Sequence, residues 1–325
     1  MPPDLPRFLL FEGPSPLHPL PRFSAALGGN VEVWIKREDL LPVGLGGNKL
    51  RNLEYLIGAA LAEGADTLVT SGRRWSNHAR LTAAAGAMAG LAVDLILSGP
   101  PVEPPGPGIR LAQTFGATVH QLVTADRGER EATVERVLAD LRTTGRRPYL
   151  IPVGGSGMPG VLGQLDAAIE FGDQVDDMPG DLLPAAVYLP SATGGTQAGL
   201  IARTWSSGDA ERVIGVLVAG PEAELRPAVR GMLDHLRPWL AADVPDNAID
   251  FDASQSGEGY GRPTAAAGEA AALLARTEGI LVDPIYTAKA LAALVAGVRS
   301  GRHDGRTIVF WHAGGIPGLF EPLDP

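Results

Sequence analysis

Short runs of β-branched and leucine side chains recur along the chain: VEVWI (31–35), DTLVT (66–70), LAVDLIL (91–97), TVHQLV (118–123), YLIPV (149–153), AAVYLP (185–190), VIGVLV (213–218) and TIVFWH (307–312). Each has the length of a buried strand. Between most of them, apolar residues repeat at steps of three and four. Leu50, Leu53, Ile57 and Ala60 fall on one face of a helix predicted after Asn48 and closed by Gly64, and Leu81, Ala84, Ala85 and Met88 stripe a second helix ended near Gly90. This alternation predicts an α/β fold of βαβ units, with open, mostly parallel sheets flanked by helices. The proline-rich PPVEPPGPG (100–108) can continue neither a helix nor a central strand, so it is expected to be a loop. No repeat, low-complexity tract or long charge run interrupts the pattern.

Composition narrows the function. A chain of 325 residues, 45% hydrophobic, can bury a large core and suggests about two domains. The longest charge-free apolar stretch, Leu81 to Val93, stops at Asp94, short of the ~20 residues that span a bilayer. No membrane segment is expected. The start MPPDLPRFLL carries Asp4 and two early prolines where a secretory signal has a basic start and an apolar run, so a cytoplasmic protein is expected. Zero cysteines exclude disulfides, thiolate metal sites and cysteine nucleophiles, and no metal site is expected. A net charge of -10 argues against a sequence-independent hold on nucleic acid and favours a small-molecule partner.

Among 27 cationic residues only Lys36, Lys49 and Lys289 are lysines. A retained lysine points to a need for a primary amine, which arginine cannot replace as a nucleophile, although compositional drift explains the count equally. Lys49 lies in GLGGNK (44–49), at the first turn of the predicted helix, with Asn48 as the expected cap. A helix amino end disfavours the ammonium form there. The alternative is a lysine pointing into water. SATGGTQAGL (191–200) follows the run AAVYLP and precedes a helix, the arrangement that aims backbone N–H groups at an anion such as phosphate; packing alone also produces such turns. In SNHAR (76–80), helix capping suffices to explain Ser76 and Asn77, and His78 is by itself an ordinary partly buried histidine. Tyr260, in GYG (259–261), and Tyr286, in DPIYTAKA (283–290), are two of only five tyrosines, a residue type that packs more often than it acts as an acid.

Taken in order, these segments resemble the D-cysteine desulfhydrase and 1-aminocyclopropane-1-carboxylate deaminase family of pyridoxal-phosphate enzymes. The resemblance runs from PLHPLPRFSAALG (16–28) through IKRED, GGNKLRNLEYL, SNHAR, RPYLIPVGGS (147–156), GGTQAGL and ARTEGILVDPIYTAKA (275–290) to HAGGIPGLF (312–320). It implies the two-domain tryptophan-synthase β-like fold (fold type II), with residues 1–47 and 156–325 forming a larger cofactor-binding domain and 48–155 a smaller inserted one. It also implies that Lys49 forms a Schiff base with pyridoxal 5'-phosphate, that Thr193, Gly194, Gly195 and Thr196 hold the phosphate, and that Asn77 meets the phenolic oxygen. Ser76 would sit over the substrate carboxylate or relay a proton. Tyr260 and Tyr286 would line the substrate side, one of them as an acid.

The chain departs from the family pattern at three places. Arg73, Arg74 and Trp75 stand where alanine, isoleucine or glycine, then glutamine, usually precede SNH; two arginines and an indole there suit an anionic leaving group such as a sulfonate, though arginines turned to solvent fit equally. Arg74, Trp75, Ser76, Asn77 and His78 are thus the expected substrate contacts. Ala313 replaces the threonine that desulfhydrases place near the pyridine nitrogen, leaving Thr287 as that atom's expected partner. Thr287 also stands where deaminases carry glutamate, which counts against ring opening of aminocyclopropane carboxylate. The resemblance therefore implies α,β-elimination on a small β-substituted amino acid, D-cysteine-like or L-cysteate, to a keto acid and ammonia. The alternatives are the deaminase and a non-catalytic pyridoxal-phosphate-binding protein. A homodimer is expected from the resemblance.

Overall fold

A computed structural model describes residues 5–28, 30–178, 183–208 and 212–323, which form two sheets. The strands are β1 (Leu17–Pro19), β2 (Glu32–Arg37), β3 (Thr67–Arg73), β4 (Ala92–Ser98), β5 (Thr118–Gln121), β6 (Pro148–Leu150), β7 (Ala186–Ser191), β8 (Val213–Leu217), β9 (Asp250–Asp252) and β10 (Thr307–His312). One sheet has the order β1-β2-β10-β7-β8-β9, the other β5-β4-β3-β6. All pairings are parallel except β1 with β2. Each predicted run overlaps a strand, although YLIPV (149–153) shares only Tyr149 and Leu150 with β6. The two short edge strands β1 and β9 were not among the predicted runs, because three half-buried residues such as Asp250–Asp252 carry no apolar signal.

Helices cover both sheets: α1 (Pro21–Ala26), α2 (Lys49–Ala62), α3 (Asn77–Ala89), α4 (Pro107–Thr114), α5 (Arg127–Thr143), α6 (Val161–Asp176), α7 (Gly195–Ser207), α8 (Glu222–Leu236), α9 (Ala265–Glu278) and α10 (Thr287–Arg299). Because strand side chains alternate in direction, the central strands of the larger sheet feed two cores. Val187, Leu189, Val309 and Trp311 pack with α6, α7 and α8 on one face; Ala186, Tyr188, Ile308 and Phe310 pack with α9 and α10 on the other. The smaller sheet repeats the scheme, with Leu68 and Leu95 facing α2, α3 and α4, and Val69 and Ile96 facing α5.

Details correct the expectations. Met88 is 51% exposed and leaves the predicted stripe of α3. The proline-rich segment ends two residues into α4, whose first position is Pro107, where the missing N–H is no loss. All strands of the smaller sheet lie within 48–155, but 1–47 does not belong wholly to the larger unit: β1 and β2 do, whereas Leu10 and Leu41 are buried against the smaller sheet's helices. Among the described residues, no helix is long and apolar enough to cross a membrane.

One contact between distant segments positions the site. Gly47 and Gly314 form an isolated antiparallel bridge, and Asn48 N–H donates to Ala313 O at 2.9 Å. A Cβ on Gly314, whose φ is +100°, would stand 2.5 Å from Gly47 Cα. Only glycine allows the loop before α2 to lie this close to the end of β10.

Candidate active site

The carboxyl ends of β3, β7 and β10 and the amino ends of α2, α3, α7 and α10 enclose a cavity of about 270 Å³. This is where open parallel sheets place ligands. Lys49 opens α2 and lines it. Among the described residues its amine has no hydrogen-bond partner, and burial lowers its pKa from 10.5 to about 8. Desolvation, rather than the helix dipole of the sequence argument, is the cause. The other two lysines are committed elsewhere. Lys36, buried in β2, donates to Ser15 O at 2.8 Å and to Glu170 and Gln174. Lys289 donates to Ser256 O at 3.0 Å and Gly259 O at 3.3 Å.

Asn48 does not cap α2 as expected. Its backbone is already helical and its side chain makes no cap; instead Nδ2 donates to Thr196 Oγ1 at 2.7 Å. That bond ties the lysine loop to the turn between β7 and α7. This turn carries Thr193, Gly194, Gly195 and Thr196, all of which line the cavity. Gly194 takes φ +80°, and a Cβ there would meet Val229 Cγ2 at 2.6 Å. Among the described residues no side chain caps α7, and Gly195 and Thr196 at its amino end line the cavity, where the positive end of the helix dipole lies. Thr193 Oγ1 is fixed by Ser156 Oγ at 2.6 Å.

Ser76, Asn77 and His78 line the opposite wall. Ser76 does cap α3, its Oγ accepting from Ala79 N–H at 3.2 Å. His78 shares a hydrogen bond of 3.1 Å with Thr70 Oγ1; burial, then the Lys49 charge, drops its pKa to about 3, so the ring is neutral. Arg80, one turn into α3, donates to Gly46 O at 3.2 Å and joins this helix to the glycine loop.

Tyr260 and Tyr286 line the cavity and share a hydroxyl–hydroxyl hydrogen bond. Burial raises both pKa values, so both stay protonated at neutral pH. Thr287 also faces the cavity, but its hydroxyl donates to Asp283 Oδ1 at 2.6 Å and accepts from Asp283 N–H at 2.9 Å. Asp283, in DPIYTAKA, carries no sequence signal of its own. This fully buried carboxylate, which also accepts N–H groups from Ile285, Tyr286 and Thr287, builds the start of α10. Thr287 therefore offers the cavity a lone pair and no proton.

The Arg73–Arg74–Trp75 turn splits. Arg73 lines the cavity. Arg74 does not: it is buried, donates to Pro322 O at 2.6 Å, and lies 3.6 Å from Glu321. Trp75 also lies behind the wall, edge-on to Tyr260 at 5.9 Å between ring centroids and against Gly261. The expectation that Arg74 and Trp75 touch substrate is corrected accordingly. Arg130 of α5, which no motif marked, lines the cavity instead.

These residues fit pyridoxal phosphate. A half-buried lysine whose amine has no partner among the described residues shares the cavity with an uncapped helix amino end, and the turn that opens that helix is a glycine cradle that a Cβ would fill. Lys49 would hold the aldehyde carbon, the 193–196 turn the phosphate, and Asn77 and Thr287 the ring's polar atoms.

Comparison with known proteins agrees. A family model described as "Pyridoxal-phosphate dependent enzyme" matches residues 8–314. The chain is 38% identical over 320 residues to a D-cysteine desulfhydrase of Salmonella newport (strain SL254), covering 97% of this chain and 95% of that protein. A solved "ACC deaminase homologue" is similar with a TM-score of 0.87 and 32% identity, covering 98% of this chain and 94% of the other. A pyridoxal 5'-phosphate-dependent aspartate racemase shares the fold, with a TM-score of 0.68 at 16% identity over 93% of this chain and 90% of that one.

Proposed function

The chain belongs to the pyridoxal-phosphate dependent enzymes, and from that premise we propose that it is a lyase performing α,β-elimination on a small β-substituted amino acid, D-cysteine or a relative of it. The observation that carries this reading is the unpartnered amine of Lys49 in the cavity, held near a pKa of about 8 by burial. An amine tuned close to the working pH is a base as well as an anchor. The similarity to D-cysteine desulfhydrase and to an ACC deaminase homologue supports the reaction class.

Pyridoxal phosphate, when bound, supplies an electron sink for negative charge at the substrate's α-carbon. The residues of this chain do the rest. Lys49 Nζ takes the α-proton. Ser76 and Asn77, at the amino end of α3, receive the substrate carboxylate, where backbone N–H groups and the helix dipole favour an anion. Tyr260 or Tyr286, protonated and hydrogen-bonded to each other, delivers a proton to the leaving group. The apolar and aromatic walls keep water from that exchange. We place the enzyme in the cytoplasm, as a homodimer. The deaminase remains the second reading, and Thr287, with its proton committed to Asp283, disfavours it.

The test is keto-acid release from D-cysteine, with sulfide measured in parallel, against aminocyclopropane carboxylate as comparator. Pyruvate and sulfide from D-cysteine support the lyase; 2-oxobutyrate from the cyclopropane alone replaces it by the deaminase; cofactor bound with no turnover of either points to a binding protein. Borohydride reduction followed by peptide mapping should leave the cofactor on the peptide containing Lys49, and Lys49→Ala should abolish that adduct in a folded protein. An adduct on Lys36 or Lys289 would overturn the assignment.

A further inference from the structure

Two guanidinium groups face the cavity without an anion to offset them. Arg73, at the end of β3, is held by a 3.3 Å hydrogen bond to Ala125 O and by the rings of Trp75 and Tyr260, 5.6 and 5.9 Å from its Cζ. Arg130 is anchored through Nη1 to Ser98 Oγ at 3.1 Å, while its buried Nε has no hydrogen-bond partner among the described residues. No carboxylate of the described residues pairs with either group. Glu131, beside Arg130 in the chain, is taken by Arg127 at 2.7 Å. Burial first, and then the Arg73 charge, pull the Arg130 pKa below its ordinary value. Two partly buried cations kept this close are unfavourable unless an anion joins them.

The other anion positions are already assigned. The 193–196 turn suits the cofactor phosphate, and the amino end of α3 suits the substrate carboxylate. A thiol side chain needs neither arginine. We propose that Arg73 and Arg130 form a subsite for a second, side-chain anion, so that the preferred substrate is an amino acid whose β-carbon carries a tetrahedral oxyanion, a sulfonate or a phosphate. The inference rests on the lyase reading for its chemistry. The Cα–H bond breaks with the proton going to Lys49, and the bond from Cβ to the substituent breaks with its electron pair leaving on the oxyanion as sulfite or phosphate. The enamine released takes up water to give keto acid and ammonia. Because the departing group gains a negative charge, guanidinium forks stabilise it more as it leaves than while it is attached.

The test is calorimetric titration of the holoprotein with 3-sulfopropanoate, 3-phosphonopropanoate and butanoate, which share one carboxylate and differ in the second group. One of the first two should bind about 30-fold or more tighter than butanoate, the scale of a desolvated charge pair, and Arg130→Gln should remove most of that difference while moving butanoate by less than about threefold. Which anion binds tighter identifies the substituent. Equal affinities, or a preference that survives Arg130→Gln, overturn the proposal. Should Arg130→Gln fail to fold, Arg130→Lys replaces it, and an unchanged preference there together with salt-independent binding is the overturning result. Keto-acid assays with D-cysteine, cysteate and phosphoserine separate the two claims. Turnover of D-cysteine with no gain for the oxyanions sinks the subsite and leaves the lyase; selective anion binding without keto acid from any substrate sinks the lyase and leaves the subsite.

Discussion

Replacing Lys49 by methionine should make the cofactor-free protein more stable. The amine belongs at 10.5 in an unfolded chain and at about 8 in the fold, lowered by desolvation. Below pH 8 it is charged in both states, and folding bears the full cost of burying that charge. A separation of about 2.5 pH units corresponds to at most about 3 kcal/mol. Between about 8 and 10.5 the unfolded chain binds more protons than the folded one, so stability rises with pH, and above 10.5 the cost is gone. Methionine keeps the aliphatic stem and removes the charge. Denaturant unfolding of Lys49→Met at pH 7 should therefore show a gain approaching about 3 kcal/mol, or a rise of roughly 4–5 °C in midpoint for a chain of this size. The gain should shrink toward zero by about pH 10.5. A variant that is less stable than wild type at pH 7, or whose difference does not vary between pH 7 and 10.5, would refute the idea that desolvation tunes this amine.

Three further outcomes follow from the geometry. Gly194→Ala must place a methyl 2.6 Å from Val229 Cγ2 at φ +80°; a strain of about 1–2 kcal/mol should displace the turn, and cofactor retained after gel filtration should fall about tenfold, so full retention would contradict the cradle. Arg74→Met should cost about 3 kcal/mol because Glu321 is left buried without its cation, with the loss largely restored by adding Glu321→Gln and kcat/KM changed by less than about twofold; lost turnover at unchanged stability would return Arg74 to the substrate. His78 stays neutral down to about pH 3, so an activity limb near pH 6 that disappears in His78→Asn would contradict its burial against Thr70.

The sheets were legible in the sequence because the central strands are buried on both faces and read as unbroken apolar runs, as in AAVYLP and TIVFWH. The cavity's glycine-rich turns were legible too, because strand, glycine and helix signals coincide there. Direction was not. Arg73, Arg74 and Trp75 are consecutive where β3 ends and a turn begins, and neither composition nor spacing says that the first faces the cavity while the next two pack behind it. Asn48 carried the signature of a cap, and a tertiary bond to Thr196 outcompetes that local role. Arg130 left no signal, since it lies on a largely polar helix and reaches the site only once α5 packs on the smaller sheet.

The place of β10 in the larger sheet also sets a schedule for synthesis. β2 and β7 are not neighbours; each pairs with β10, which lies between them. Until residues 307–312 leave the ribosome, the strands on the two sides of that gap have nothing to join them, and Gly47 has no Gly314 to meet. Residues 191 and 312 are 121 positions apart (312 − 191), on the order of ten seconds of translation. The smaller sheet, whose strands all lie between residues 67 and 150, can assemble long before then. A chain that stops ahead of β10 therefore lacks both the strand that joins β2 to β7 and the glycine contact that positions the loop before Lys49.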